Sequence, residues 1–251
     1  MTRFTTRALL LTCLVFGGAA GVTAQTADEI VDKAIAAAGG RAALEKLTSR
    51  STHGTITVST PAGEIPGTID VVNQAPNKIR TLITLDASSL GAGTVTIDNR
   101  FDGTAGFTMD SMRGNREMTG TQLANLRNSY FPSPLLNYKE RGTKIELKGK
   151  EKVGDRDAYA LTLTPKDGPV VQIFIDAESY LADRSVVTID APEVGSVEQT
   201  TDFTDYREVD GVKIPFSFKG SSAVQTFFVL VKTVEHNGKI DPSLFVKPAE
   251  K

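Results

Sequence analysis

Apolar residues recur at every second position along most of this chain, and three successive segments between Ala158 and Asp190 carry the pattern most clearly. In 158–164 (AYALTLT) Tyr159, Leu161 and Leu163 share one face of a pleated strand, while the other face is small or hydroxylic. Pro165-Lys166-Asp167-Gly168-Pro169 cannot continue a ladder, because proline has no N–H to give and glycine favours a turn, so a hairpin is expected there. In 170–176 Val171, Ile173 and Ile175 occupy one face and Val170 and Phe174 the other, and 181–190 supplies the third strand. A strand apolar on both faces must be covered on both or line a cavity.

The same alternation runs through 53–59, 67–74, 78–86 and 94–101, separated by turn-forming residues, and continues through the tight turn Asp102-Gly103-Thr104 into 105–109. Further strands are expected over 144–148, 195–206 and 212–219, with Pro215 suggesting an edge or a bulge. The last, 224–235, is again two-faced, with Val224, Phe228 and Leu230 against Phe227, Val229 and Val231. The reading is a mainly β protein: a single curved antiparallel sheet, or incomplete β-barrel, of about ten strands with helices on its concave face.

Helical spacing appears twice. Thr26-Ala27-Asp28-Glu29 is a capping box, Ile30, Val31, Ala34, Ile35 and Ala38 form one stripe, and Gly39-Gly40 supplies the stop; Leu44 and Leu47 point inward from a second short turn. Thr119-Gly120-Thr121-Gln122 is a second capping box, opening a helix over 121–130 with Leu123, Leu126 and Tyr130 on one side. It must stop before Pro132, and Phe131, Leu135 and Leu136 follow. About ten residues cannot hold a helix in water, so this insertion exists only while docked on apolar surface, as a core element or as a movable cover.

The first 24 residues read as a processing signal: Arg3 and Arg7 precede an apolar run, 8–20, too short to span a bilayer, and Val22-Thr23-Ala24 offers small residues for cleavage. The mature chain is expected to begin at Gln25, in the periplasm or outside the cell. An uncleaved anchor and lipidation at Cys13 are the rivals, disfavoured by diluting glycines and by Thr12. Removing 24 of 251 residues leaves 227, the length of one all-β domain over 25–251, with net charge −4 and no cysteine. Such a chain has no disulfide, no thiolate nucleophile and no basic patch for nucleic acid.

Catalytic signatures are missing. The two histidines, His53 and His236, have no second metal-type ligand at useful spacing. Asp98, Asp102 and Gly103 imitate a calcium loop, but Arg100 and Met109 stand where oxygen ligands are required. No enzyme activity, metal or cofactor is expected.

One resemblance extends this reading. Ala38 to Arg41 (AGGR), Pro76-Asn77-Lys78, 102–107 (DGTAGF), 137–140 (NYKE), the hairpin over 149–159 and 205–211 (DYREVDG) occur in the order seen in the LolA-like superfamily of periplasmic lipoprotein carriers and outer-membrane lipoprotein-sorting proteins, which this chain resembles. The resemblance implies a concave cavity holding lipid or lipoprotein acyl chains, membrane-associated donor and acceptor proteins as further partners, and a monomer. The chain departs from the carrier at Ala75, where the carrier has an arginine. Phe107, Met109, Leu123, Leu126, Tyr130, Phe131, Leu135, Leu136, Phe174 and Phe228 are the expected lining of cavity and lid. The rival function is a protein-interaction or envelope-stress sensor module, which would expose an apolar patch instead.

Overall fold

The structure, a computed structural model, describes residues 25–191 and 195–248; the expected leader, residues 1–24, lies outside them. The chain folds α1 (Ala27–Ala37), α2 (Arg41–Leu44), β1 (Ser49–Thr60), β2 (Gly63–Gln74), β3 (Lys78–Ala87), β4 (Gly93–Phe101), β5 (Gly106–Asp110), β6 (Arg116–Glu117), α3 (Gly120–Asn128), β7 (Lys144–Val153), β8 (Arg156–Thr164), β9 (Val171–Asp176), β10 (Ala182–Ala191), β11 (Gly195–Val209), β12 (Val212–Ser221) and β13 (Thr226–His236). The strands form one 13-stranded sheet in the order β6-β5-β4-β3-β2-β1-β13-β12-β11-β10-β9-β8-β7, antiparallel throughout and not closed. The sheet exceeds the expected ten or so strands: each alternating segment named above forms a strand, 105–109 included, and the two-residue β6, which has no periodic signal, is added to them. Every neighbouring pair is a sequential hairpin except β1 with β13, so the sheet is two meanders joined at its centre. Its free edges, β6 and β7, are linked by α3 and the segment 129–143.

Directly opposed residues of an antiparallel pair share a face, so the register fixes what lies inside. Leu161 opposes Ile173 and Tyr159 opposes Ile175. These four join Leu163, Val212, Ile214, Phe216 and Val231 under Ile30, Val31, Ala34 and Ile35 of α1 and Leu44 of α2 in the main core. The capping box closes as expected, with Glu29 N–H donating to Thr26 Oγ1 and Thr26 N–H to Glu29 Oε2. Farther along the same inner face Ile56, opposite Val229, packs with Leu85, Val95 and Ala87.

α1 is locked to the β11–β12 turn by a close backbone approach. Gly39, at φ +122°, lies where a Cβ would stand 2.2 Å from the Gly211 carbonyl oxygen, and Lys213 N–H donates to Ala38 O. Only glycine tolerates both the conformation and the contact. Pro215 faces Tyr206 of β11 in an unshifted register, without a bulge, and lies before Ser217, where the pairing of β12 with β13 begins, so its missing N–H falls at a local edge of the sheet.

Candidate functional site

The insertion between the two sheet edges divides into two parts with different packing. Phe131, Leu135, Leu136 and Tyr138 are buried in the main core. They are anchored to the N-terminal helices: Asp28 accepts from Tyr138 Oη and Lys139 Nζ, and Arg41 Nη1 donates to Asn137 Oδ1 at 2.6 Å. The Asp28 carboxyl is held below its usual range by these bonds, chiefly that from Lys139. α3, in contrast, contains no buried residue. Leu123, Leu126 and Tyr130 are each only partly buried, and the Tyr130 ring carries the Arg141 guanidinium 3.8 Å from its centroid.

Polar contacts to opposite arms of the sheet hold α3 in place. Toward β10, Asn125 Nδ2 donates to Thr188 O at 2.7 Å and Thr121 N–H donates to Asp190 Oδ2 at 3.1 Å. Asn128 Nδ2 reaches Asp167 O in the β8–β9 turn. Toward the other arm, Asn77 Nδ2 donates to Arg127 O, Arg127 Nη2 to Thr104 O, and Phe131 N–H to Pro76 O. The expected second capping box does not form: Thr119 is the N-cap but makes no side-chain bond, and the helix ends at Asn128 rather than Tyr130. Asp190, brought from β10, serves the helix N-terminus instead, which the dipole favours.

Cavities flank this bridge. One of about 390 Å³ lies between α3 and β3–β4, with Leu126, Met118, Ile79, Phe101 and Ile189 among its walls together with Asn99, Gln122, Asn125 and Gln199. It is therefore mixed in polarity rather than uniformly apolar. A second, of about 250 Å³, is lined largely by Leu163, Pro165, Val171, Val187 and Ile189 on the far side of α3. A third, of about 270 Å³, lies under α1 and α2 against Pro132–Leu135, with Arg50 in its wall. Asn125 and Ile189 line both the first and second, and Pro134 lines both the second and third. The three spaces thus share walls along one track beneath the insertion.

Four expected lining residues lie elsewhere. Phe107 opposes Arg100 and Met109 opposes Asp98, on the outer face where Arg80 and Arg100 clamp the Asp98 carboxylate; Gly106, Thr108 and Asp110 point inward instead. The inner slot beside Gly106 is filled by Met118, whose Sδ would lie 2.8 Å from a Cβ there. Phe174 belongs to a small outer cluster with Val153, Ala158, Ala160 and Val186. Phe228 is 42% exposed on the outer face of β13. Alternation assigns residues to two faces without saying which one lines the cavities, and these four side chains are on the other. Phe131, Leu135 and Leu136 also change role, from lid to core. Arg50, Met118, Asn125 and Ile189 line the cavities without having been singled out; of these, only the lone cation on the inward-facing register of β1 left a signal.

No family model matches the sequence, and no curated protein matches it. Solved structures do match. A LolA superfamily protein from Nitrosomonas europaea is 14% identical with a TM-score of 0.55, covering 89% of this chain and 99% of that one. A DUF1329 family protein from Desulfovibrio piger is 13% identical with a TM-score of 0.54 over 88% and 97% of the two chains. A domain from Vibrio parahaemolyticus described as an outer membrane lipoprotein-sorting protein is 9% identical with a TM-score of 0.56 over 87% and 97%. With the open curved sheet, the inner-face helices and the bridging insertion in place, the chain has the LolA-like fold.

Proposed function

We propose that this protein acts in the periplasm as a carrier or binding protein for acyl ligands, lipid or lipoprotein chains, and that it works by binding alone, without a catalytic step. The observation that carries the reading is α3: a nine-residue helix with no buried side chain, held across the open side of the sheet by hydrogen bonds above a track of cavities. Each such bond is worth about 1 kcal/mol net, because water replaces it on opening. Acyl burial gains about 0.8 kcal/mol per methylene, so a chain of ten methylenes outweighs the loss of several of these contacts. Opening α3 also leaves the main core intact, since Phe131, Leu135 and Leu136 hold their places under α1.

Mass spectrometry of an organic extract of the protein purified from its native host tests the reading. Stoichiometric co-purifying lipid is the expected result; an extract free of lipid, together with failure of a fluorescent fatty acid to bind the refolded protein, would overturn it. A second reading draws on the outer face, where Phe228 and Leu230 on β13 are 42% and 38% exposed, with Val224 at the preceding turn 37% exposed. A protein-interaction module would use such a patch, and in that case Phe228→Ser would abolish partner capture while leaving fatty-acid binding unchanged.

A further inference from the structure

Arg50 is the third residue of the inner register of β1 counted back from Ile56, and it opposes His236 across the β1–β13 pair. Its guanidinium stacks over Phe131, 5.2 Å from the ring centroid, in the wall of the 270 Å³ cavity. The Nε–H donates to His236 Nε2 at 3.0 Å. Because that nitrogen accepts, the imidazole is neutral with its proton on Nδ1, which donates to Asp210 Oδ2 at 3.1 Å. Burial, and after it the charge of Arg50, lowers the His236 pKa, which favours this neutral form.

Arg50 therefore has a neutral neighbour where a buried cation ordinarily has an acid. Among the described residues no carboxylate pairs with it, and burial brings its pKa down to about 10 with no acid to raise it. Its two Nη groups have no protein acceptor among the described residues. They are not sealed away either: the buried side-chain atoms left without a partner among the described residues are Arg141 Nη1 and Asp183 Oδ2. Four N–H donors thus face a space walled mainly by apolar groups such as Ile35, Leu44, Leu135 and Ile214, with Ser133, Tyr206 and Lys213 also in its lining. Burying a guanidinium without an anion is unfavourable, and its planar fork matches a carboxylate in a bidentate pair.

We propose that Arg50 receives the carboxylate of a single-chain amphiphile whose hydrocarbon tail runs past Pro134 along the cavities beneath α3. This rests on the acyl-binding reading above and adds to it a ligand class and a polarity: the anionic head lies under α1 and α2 and the tail under the lid. Phe131 stacks on the cation from one side, and the His236–Asp210 pair fixes the guanidinium through Nε while leaving both Nη groups to the ligand.

The test compares laurate, dodecanol and dodecyl phosphate as competitors of a bound fluorescent fatty acid, in the wild-type protein, Arg50→Gln and Arg50→Lys, with thermal unfolding followed in parallel. The wild type is expected to prefer laurate over dodecanol by about tenfold or more, the scale of a charged hydrogen-bonded contact. Arg50→Gln should remove that preference while keeping dodecanol binding, and Arg50→Lys should retain only part of it. If Arg50→Gln does not fold, the wild-type preference and its reduction in Arg50→Lys decide. Equal binding of laurate and dodecanol, or a preference that survives Arg50→Gln, overturns the Arg50 site while the acyl-binding reading stands. Tighter binding of dodecyl phosphate than of laurate overturns the carboxylate assignment, and failure of all three to compete, with no fluorescent fatty acid bound, overturns both readings.

Discussion

The side-chain amide of Asn125 donates to the main-chain carbonyl of Thr188 at 2.7 Å and so ties the middle of α3 to the inner side of β10. This bond is one of few that must break for α3 to swing away, and no buried side chain of the helix opposes the movement. Asn125→Ala should therefore release the lid without unfolding the sheet. A loss of about 1 kcal/mol in the closed state corresponds to about fivefold faster dissociation of a fluorescent fatty acid in stopped flow. An unchanged off-rate would mean that α3 does not gate the cavity.

Leu126 and Leu135 separate the two parts of the insertion by experiment. Leu126 is partly buried and lines the 390 Å³ cavity, whereas Leu135 is 7% exposed in the main core. Leu126→Asp places a charge where a chain would lie and should weaken fatty-acid binding by tenfold or more, with the melting temperature falling by less than about 3 °C, the equivalent of roughly 1 kcal/mol in a domain of this size. Leu135→Asp buries an unpaired carboxylate and should prevent folding altogether. If both variants melt alike, the division into lid and core fails.

Much of the fold was legible because the sheet is antiparallel with short connections, so period-two alternation and Gly or Pro turns mark nearly every strand. The inner faces of β8 and β9 follow residue by residue from the spacing of Tyr159, Leu161, Ile173 and Ile175. The site was less legible because its two informative features are not periodic. Phe107, Met109, Phe174 and Phe228 are large and apolar, yet lie on the outer face, where Phe174 is buried in a separate small cluster and Phe228 is exposed. The cavity walls instead use Asn125, Met118 and Arg50, whose positions depend on contacts between strands far apart in sequence. The union of β1 with β13, which brings Arg50 beside His236, has no local signature at all.

Gly39 tests how α1 is held. A Cβ at this position would stand 2.2 Å from Gly211 O and 3.1 Å from the Val212 Cα, in a conformation that L side chains rarely adopt. Gly39→Ala should cost about 2 kcal/mol or more from strain and displacement of the β11–β12 turn, lowering the melting temperature by about 4–8 °C. Gly40→Ala, at φ +86° with no atom within 4 Å of the new Cβ, provides the control and should cost only the conformational part. Equal effects of the two substitutions in calorimetry would show that the approach to Gly211 is not tight.

Asp183 makes stability depend on pH in the sense opposite to an ordinary ion-paired carboxylate. Its side chain is 4% exposed; Arg156 Nη2 lies 2.6 Å from Oδ1, but Oδ2 has no partner, and the neighbouring Asp176 carboxylate is also buried. Burial first, and the Asp176 charge after it, push its pKa up to about 6 against the attraction of Arg156. Between the ordinary carboxyl value of 3.8 and about 6 the folded chain binds this proton and the unfolded chain does not. Stability from this group is therefore fully present below pH 3.8 and is lost as pH rises through 6, the sign given by proton linkage when the native state binds more protons. Asp183→Asn mimics the protonated form at every pH. The stability of Asp183→Asn relative to the wild type should rise from pH 4 to pH 6 and then level off, by on the order of 2–3 kcal/mol. Urea titrations at pH 4, 5, 6 and 7 measure it, and a difference that is flat or falls with pH would show that Arg156 keeps Asp183 ionised in the folded protein.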